Sequence, residues 1–156
     1  MPRLSDPGHR PGAEVPRCTC GQLRRLTRRI TGIYDHALAP CGLRVTQFSL
    51  LSNLLKLPAC SLSELADAMD MERTTLIRNL RPLVAAGWVR AQARVNSRKQ
   101  EVSLTPAGRA KWSEAKPLWR LAQDTVNSTL GESEVARLHG RITRYLSQLH
   151  SPEAEG

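Results

Sequence analysis

Residues 61–107 constrain the fold of this chain more than any other stretch of its 156 residues. Ser61, followed three residues later by Glu64, is a capping box, which satisfies free backbone N–H groups and begins a helix. Asp70 lies where a tight turn is needed, and aspartate tolerates a left-handed backbone better than most residues. A second helix is predicted over residues 73–86. The stretch therefore indicates two helices joined by a tight turn.

The second helix has two contrasting faces. At about 100° per residue, its buried stripe is predicted to contain Leu76, Leu80, Leu83 and Val84. The opposite face contains Thr74, Thr75, Arg78 and Arg81. This second face has no acidic residue, and arginine and threonine bond both phosphates and base edges. The pattern favours nucleic-acid recognition, and the alternative is an ordinary solvent-exposed helix face.

A basic hairpin is predicted to follow this helix. Residues 88–93 alternate enough to form a strand, residues 94–100 form a basic loop, and residues 101–104 return as a second strand. Two helices followed by such a hairpin are typical of a winged helix-turn-helix. In that fold the second helix lies in the major groove of DNA, and the hairpin, or wing, can place an arginine in the minor groove.

Five ordered segments of this stretch share their pattern with a known family. They are Leu65-Ala66, the run RTTLIRNL at 73–80, Leu83, the run GWVR at 87–90 and the run LTPAGR at 104–109. In these segments the chain resembles the MarR family of bacterial transcriptional regulators. One position departs from the family pattern, because the wing usually carries an aspartate before its tip arginines and this chain has Ser97 there. The wing keeps its positive charge but lacks the acidic partner that normally orients it.

The resemblance implies a mainly α fold with a small β-hairpin, in which a winged helix-turn-helix is joined to N- and C-terminal dimerisation helices. We expect a regulator that binds double-stranded DNA and acts as a repressor. Contacts to base edges or nearby phosphates are expected from Thr74, Thr75 and Arg78. Phosphate contacts are expected from Arg73, Arg81, Arg94 and Lys99. A minor-groove contact is expected from Arg98.

Three regions are predicted along the chain. Residues 1–16 hold four prolines and are expected to form a flexible arm. Residues 17–45 and 106–150 form a helical dimerisation region, and residues 46–105 form the DNA-binding region. The terminal amphipathic helices exceed what one small winged helix needs for its own core, so their expected partner is a second copy. A two-fold dimer would present two such helices roughly 34–36 Å apart and read an inverted repeat. The alternative is one self-contained helical bundle.

The net charge supports a polyanionic partner. The chain carries a formal charge of +9 and has a pI of about 10.3. No stretch approaches the roughly 20 apolar residues of a membrane span, and the N-terminus lacks the apolar run of a signal peptide. We therefore expect no membrane association and a cytoplasmic location. Charge alone would also suit a non-specific architectural or RNA-binding protein, which is the second hypothesis.

No catalytic constellation is present in the sequence. The four histidines lie far apart, and there is no HExxH motif, nucleophile elbow or glycine-rich phosphate loop. We expect neither an enzyme nor a cofactor.

Cys18 and Cys20 are candidates for sensing oxidants. They lie at the start of the predicted first helix, where the helix N-terminus and nearby arginines favour the reactive thiolate. Cys41 or Cys60 is a candidate resolving thiol. Inert thiols and a metal site remain alternatives, although the spacing matches no recognised structural zinc site and no metal is assigned.

The competing signal is a small aromatic ligand. Members of the family that this chain resembles commonly bind such ligands between the dimer helices and the winged helix. By analogy of region alone, the candidate lining residues are Arg24, Arg28, Tyr34, His36 and Trp119. Release of DNA is thus expected to follow either ligand binding or cysteine oxidation.

Overall fold

The computed structural model describes residues 18–57, 59–93 and 100–149. In chain order the elements are α1 (Thr19–Leu38), a 3-10 turn (Ala39–Cys41), α2 (Val45–Lys56), β1 (Cys60–Ser61), α3 (Leu62–Ala68), α4 (Arg73–Ala85), β2 (Val89–Ala93), β3 (Gln100–Leu104), α5 (Pro106–Leu130) and α6 (Glu132–Gln148). The expected fold class, mainly helical with a small antiparallel sheet, is confirmed. The predicted arm at residues 1–16 lies outside the described residues.

The turn between α3 and α4 forms as its residues predict. The Ser61 backbone N–H donates to the Glu64 carboxylate at 2.6 Å, and the Glu64 N–H donates to the Ser61 hydroxyl at 3.2 Å. Asp70 adopts a left-handed conformation with φ of 46°. The backbone N–H of Met71 then donates to the carbonyl of Ala66 at 2.9 Å, which closes the turn. The angle between the two helices is therefore held by local hydrogen bonds.

Helix α4 packs on the core through three leucines. Leu76, Leu80 and Leu83 are buried, as predicted. Val84 was placed in the same stripe, and this is wrong, because 39% of its surface is exposed. It borders a groove between α4 and the sheet, which Ile77 and Ala91 also line.

The sheet has three strands, whereas the sequence predicted two. Its order is β1-β3-β2, all antiparallel, with Cys60 opposite Val102 and Val89 opposite Leu104. The additional strand β1 has only two residues, which is too short to show the alternation that identifies a strand. It pairs with β3 and so attaches the start of α3 to the wing.

The described residues form two hydrophobic clusters. The larger one joins α2, α3, α4, the sheet and the first half of α5. The smaller one contains Tyr34, Ala122, Val126 and Val135, from α1, α5 and α6. Helix α5 contributes to both, and it continues from Pro106 to Leu130 through Pro117. Within the described residues, no helix is long and apolar enough to span a membrane.

Candidate nucleic-acid interface

The solvent-facing side of α4 carries a compact basic surface. Thr74, Arg78 and Arg81 are exposed and share this side, and Arg73 is exposed in the first turn. Within the described residues, these three arginines make no ion pair. Thr75 is half-buried at the border of the surface and does not share its centre. The guanidinium groups are therefore available to an external anion.

The start of α4 adds to this positive character. The first turn contains no acidic residue, and the side chain of the N-cap residue, Glu72, makes no capping hydrogen bond. Backbone N–H groups at a helix start carry partial positive charge and bind phosphate well. Arg73 and Thr74 lie in this same turn. The turn thus combines backbone donors, a hydroxyl and a cation on one exposed end of the helix.

The wing strands are described up to the start of their connecting loop. Ala93 and Gln100 form the last pair of the β2–β3 register, and Arg90 is exposed on β2. Arg94, Arg98 and Lys99, which were predicted to contact DNA, lie outside the described residues. Their contacts remain predictions.

One exposed residue on α4 was missed in the sequence analysis. Ile77 is 36% exposed and lies three residues after Thr74 and one before Arg78. Ile77 lies three residues after Thr74 and four before Arg81, and this helical spacing in the sequence could have indicated that it lies beside the basic surface. Its side chain also lines the apolar groove between α4 and the sheet, so it lies at the border between that groove and the basic surface.

The four cysteines divide into two classes by exposure. Cys18, at the N-cap of α1, and Cys20, in its first turn, are exposed, whereas Cys41 and Cys60 are buried. The 20-residue length of α1 separates Cys18 from Cys41 by about 30 Å, far beyond disulfide distance. Burial is the main cause that raises the pKa of the Cys60 thiol, and the nearby carboxylates of Glu64 and Glu101 raise it further. Within one chain, Cys41 is therefore not placed to resolve an oxidised Cys18.

The residues suggested for an aromatic ligand do not converge in a single chain. Arg24 and Arg28 border a shallow surface beside Cys20. His36 lines a separate cavity of about 450 Å³ between α1 and α5, which also includes Arg29. The suggested ligand residues were grouped by their region of the sequence, and in the structure Arg24 and Arg28 line one surface while His36 lines another.

Tyr34 and Trp119, the other two suggested ligand residues, are occupied by packing. The Tyr34 hydroxyl donates to the Gln123 side-chain oxygen at 2.6 Å, and burial raises the Tyr34 pKa. Its ring centroid lies 6.0 Å from that of Trp119, which in turn lies 5.8 Å from that of Phe48. These rings form part of the connection between the two hydrophobic clusters.

The part of the chain that the structure describes contains no group of three or more His, Cys, Asp or Glu side chains able to hold a metal ion. Helix α4 carries the basic surface described above, and the β2–β3 hairpin follows it. Two helices joined by a tight turn and followed by such a hairpin define a winged helix-turn-helix protein.

Comparison with known proteins identifies the family. A sequence model of the MarR family matches residues 43–100. The M. tuberculosis transcriptional regulator MosR, crystallised in complex with DNA, is 36% identical, with 85% of this chain and 98% of MosR covered and a TM-score of 0.73. The transcriptional repressor CouR, bound to a 23-mer DNA duplex, is 25% identical over 82% of this chain and 92% of CouR, with a TM-score of 0.74. A variant of E. coli MarR complexed with operator DNA shares the fold, at 24% identity, 81% and 92% coverage and a TM-score of 0.73.

The chain belongs to the MarR family of transcriptional regulators. Its class is that of DNA-binding regulators and not that of enzymes.

Proposed function

We propose that the chain binds an inverted-repeat operator as a homodimer and represses transcription. The observation that carries this proposal is the exposed basic surface of α4, held at a fixed angle by the capping box and the Asp70 turn. MosR, which is similar over most of both chains, has been crystallised with DNA, and CouR is a repressor bound to DNA. These relatives support the same role for this chain.

In the proposed complex, α4 enters the major groove. Thr74 and Arg78 contact base edges, because they lie on the outermost side of the helix and in its first half. Arg73 and Arg81 contact phosphates, and the half-buried Thr75 contacts a phosphate at the border. The wing contributes Arg94 and Lys99 to phosphates and Arg98 to the minor groove, as the sequence predicts.

The proposed dimer forms through α1, α5 and α6. These helices expose large apolar side chains that one chain leaves uncovered, namely Leu23, Leu26, Leu121, Leu130, Ile142, Tyr145, Leu146 and Leu149. An exposed apolar set of this extent is characteristic of an interface. A two-fold arrangement would use the same set on both copies and present two α4 helices to successive major grooves.

The test is selection of DNA from a random duplex library by the full chain. Recovery of an inverted repeat, bound much more tightly than random duplex in fluorescence anisotropy at fixed salt, is the expected outcome. Equal affinity for all duplexes would instead favour the second hypothesis, a basic protein that binds nucleic acid without sequence preference. Sedimentation of the complex gives two chains per duplex if the dimer is correct.

Oxidation of Cys18 and Cys20 is the proposed signal for DNA release. Both thiols are exposed and lie one residue apart at the start of α1. An organic hydroperoxide would oxidise one thiolate to a sulfenic acid and be reduced to an alcohol. Condensation with the second thiol would then form a disulfide and release water. A disulfide here would distort the first turn of α1, next to the proposed dimer surface.

The oxidation proposal is tested by peroxide treatment followed by reductant. DNA binding should be lost and then recovered in the wild type, and it should persist in the Cys18→Ser/Cys20→Ser double variant. Cys41→Ser is the matched control, because the buried Cys41 thiol donates to the Leu38 carbonyl at 3.1 Å and serine can keep this bond. Release from the double variant by peroxide would rule out these thiols.

A small aromatic acid is the second candidate signal. The cavity between α1 and α5 combines the cationic Arg29, the imidazole of His36 and the apolar side chains of Ile33 and Leu121. This combination suits a carboxylate attached to an apolar ring. Two results would support this candidate. Salicylate or benzoate should release the wild-type protein from the selected operator without peroxide, and neither compound should release the Arg29→Ala variant.

A further inference from the structure

The exposed apolar side chains of the described residues fall into two groups. Most lie on α1, α5 and α6, where the proposed dimer covers them. The two others are Ile77 and Val84, which are 36% and 39% exposed and lie on α4. The proposed dimer helices do not include α4, so dimerisation does not account for this second pair.

Ile77 lies within reach of whatever the basic surface binds. At about 100° per residue, its side chain is rotated by about 60° from that of Thr74 and by about 40° from that of Arg81. It lies in the second turn of α4, in the half of a helix that enters the groove in helix-turn-helix complexes. Val84 lies on the same flank but about 10 Å further along the axis.

The chemistry of the DNA major groove offers one apolar partner. Among the base edges exposed there, the C5-methyl group of thymine is the apolar group, while the others donate or accept hydrogen bonds. Thr74, Arg78 and Arg81 surround Ile77 with groups suited to phosphates and polar base edges. The isoleucine cannot form those polar contacts, and the thymine methyl group is its apolar complement in the major groove.

We propose that Ile77 reads a thymine methyl group in each half-site of the operator. This assignment rests on the proposed function, since it requires α4 to lie in the major groove. It makes Ile77 a specificity residue that distinguishes thymine from cytosine and from uracil by direct apolar contact.

Replacement of thymine by uracil tests this proposal, because it removes the methyl group and leaves base pairing unchanged. The full chain is titrated with the library-selected duplex in which each thymine is replaced in turn. At one position, binding should weaken about fourfold when one half-site is changed and about sixteenfold when both are changed. At the other thymine positions, the effect of uracil on binding should be the same in the wild type and in Ile77→Ala.

Two variants complete the experiment. Ile77→Ala should bind the thymine duplex and the duplex with uracil at that position equally. The effects of the protein substitution and of the base replacement are then not additive. Val84→Ala is the matched control, because it shortens an equally exposed aliphatic side chain on the same flank of α4. It should keep the full preference for thymine.

Three results would overturn the assignment. The first is wild-type protein that binds every uracil duplex as tightly as the thymine duplex, and the second is a Val84→Ala variant that loses the preference as Ile77→Ala does. The third is a thymine preference that persists in Ile77→Ala while its thermal stability falls, which would show that the residue packs within the protein. If the library yields no preferred duplex at all, the proposed function itself fails, and that outcome is distinct from these three.

Discussion

The Thr105 hydroxyl donates a hydrogen bond of 2.7 Å to the carbonyl oxygen of Gly87. Gly87 follows the end of α4, and Thr105 is the N-cap of α5, where its hydroxyl also accepts from the Gly108 N–H at 3.0 Å. One side chain therefore attaches the long helix α5 to the helix that carries the basic surface.

Thr105→Val should lower the free energy of unfolding by about 1 kcal/mol, because it removes an N-cap while preserving the shape of the side chain. Urea denaturation measures this change. Thr105→Ser keeps the hydroxyl and should retain most of the stability. A smaller loss in Thr105→Val than in Thr105→Ser would mean that the methyl contact, and not the hydrogen bond, matters here.

Gly108→Ala should destabilise the same junction more strongly. A Cβ atom at this position would lie 2.0 Å from the Trp88 carbonyl oxygen and 2.7 Å from the Leu104 side chain. The backbone oxygen cannot move without shifting the start of β2, so we expect a loss of about 1–3 kcal/mol.

The control for this change is Gly140→Ala on α6. Nothing lies within 4 Å of its added Cβ atom, and the residue is on the side of α6 opposite the apolar stripe. Alanine should stabilise the helix there by about 0.5–1 kcal/mol. A similar effect of both substitutions on the thermal midpoint would contradict the close approach at Gly108.

Sequence reasoning performed best where the determining contacts are local. The capping box and the Asp70 turn each depend on neighbours within a few residues, and the two helices that they join were predicted closely. Val84 was misplaced because its exposure depends on how the sheet packs beside α4, which helical periodicity does not report.

The candidate site was predicted only where its residues are related by local periodicity. The basic side of α4 follows from periodicity within one helix, so Thr74, Arg78 and Arg81 were placed together correctly as exposed residues. The ligand residues were selected by region, and whether Tyr34 faces a pocket or packs on Trp119 is decided by helix α5, 85 positions further along the chain. Such long-range packing leaves no periodic trace in the sequence.

Arg78→Ala should weaken binding to the selected operator by about 1–3 kcal/mol and relax the preference at one base pair. Loss of a bidentate contact to a base explains both effects. Competition between the operator and single-base variants measures the preference. If the variant loses as much affinity for random duplex as for the operator, Arg78 contacts only phosphate.

Lys99→Ala should behave differently, since its predicted partner is a phosphate. Affinity should fall alike for all sequences, and the slope of log affinity against log salt should decrease by about one unit. Titrations at several salt concentrations measure this slope. An unchanged slope would remove Lys99 from the interface.

Leu146→Glu should weaken the dimer by about tenfold or more, because a carboxylate would be buried without a partner in the proposed interface. Leu146 is 57% exposed in one chain and belongs to the apolar stripe of α6. Ser147→Glu places the same charge on the opposite side of the helix and should leave association unchanged. Sedimentation velocity over a concentration series distinguishes the two. Dimers of equal strength in both variants would exclude this stripe.

Iodoacetamide should modify two of the four thiols in the folded protein. Cys18 and Cys20 are exposed, whereas Cys41 and Cys60 are buried, and alkylation requires both access and thiolate. Cys60 should react last, because burial and the carboxylates of Glu64 and Glu101 raise the pKa of its thiol and so reduce the thiolate fraction. Mass spectrometry of peptides after timed labelling gives the order, and labelling in urea should make all four accessible. Rapid native modification of Cys60 would mean that β1 opens readily, and the attachment of α3 to the wing would then be weaker than its register suggests.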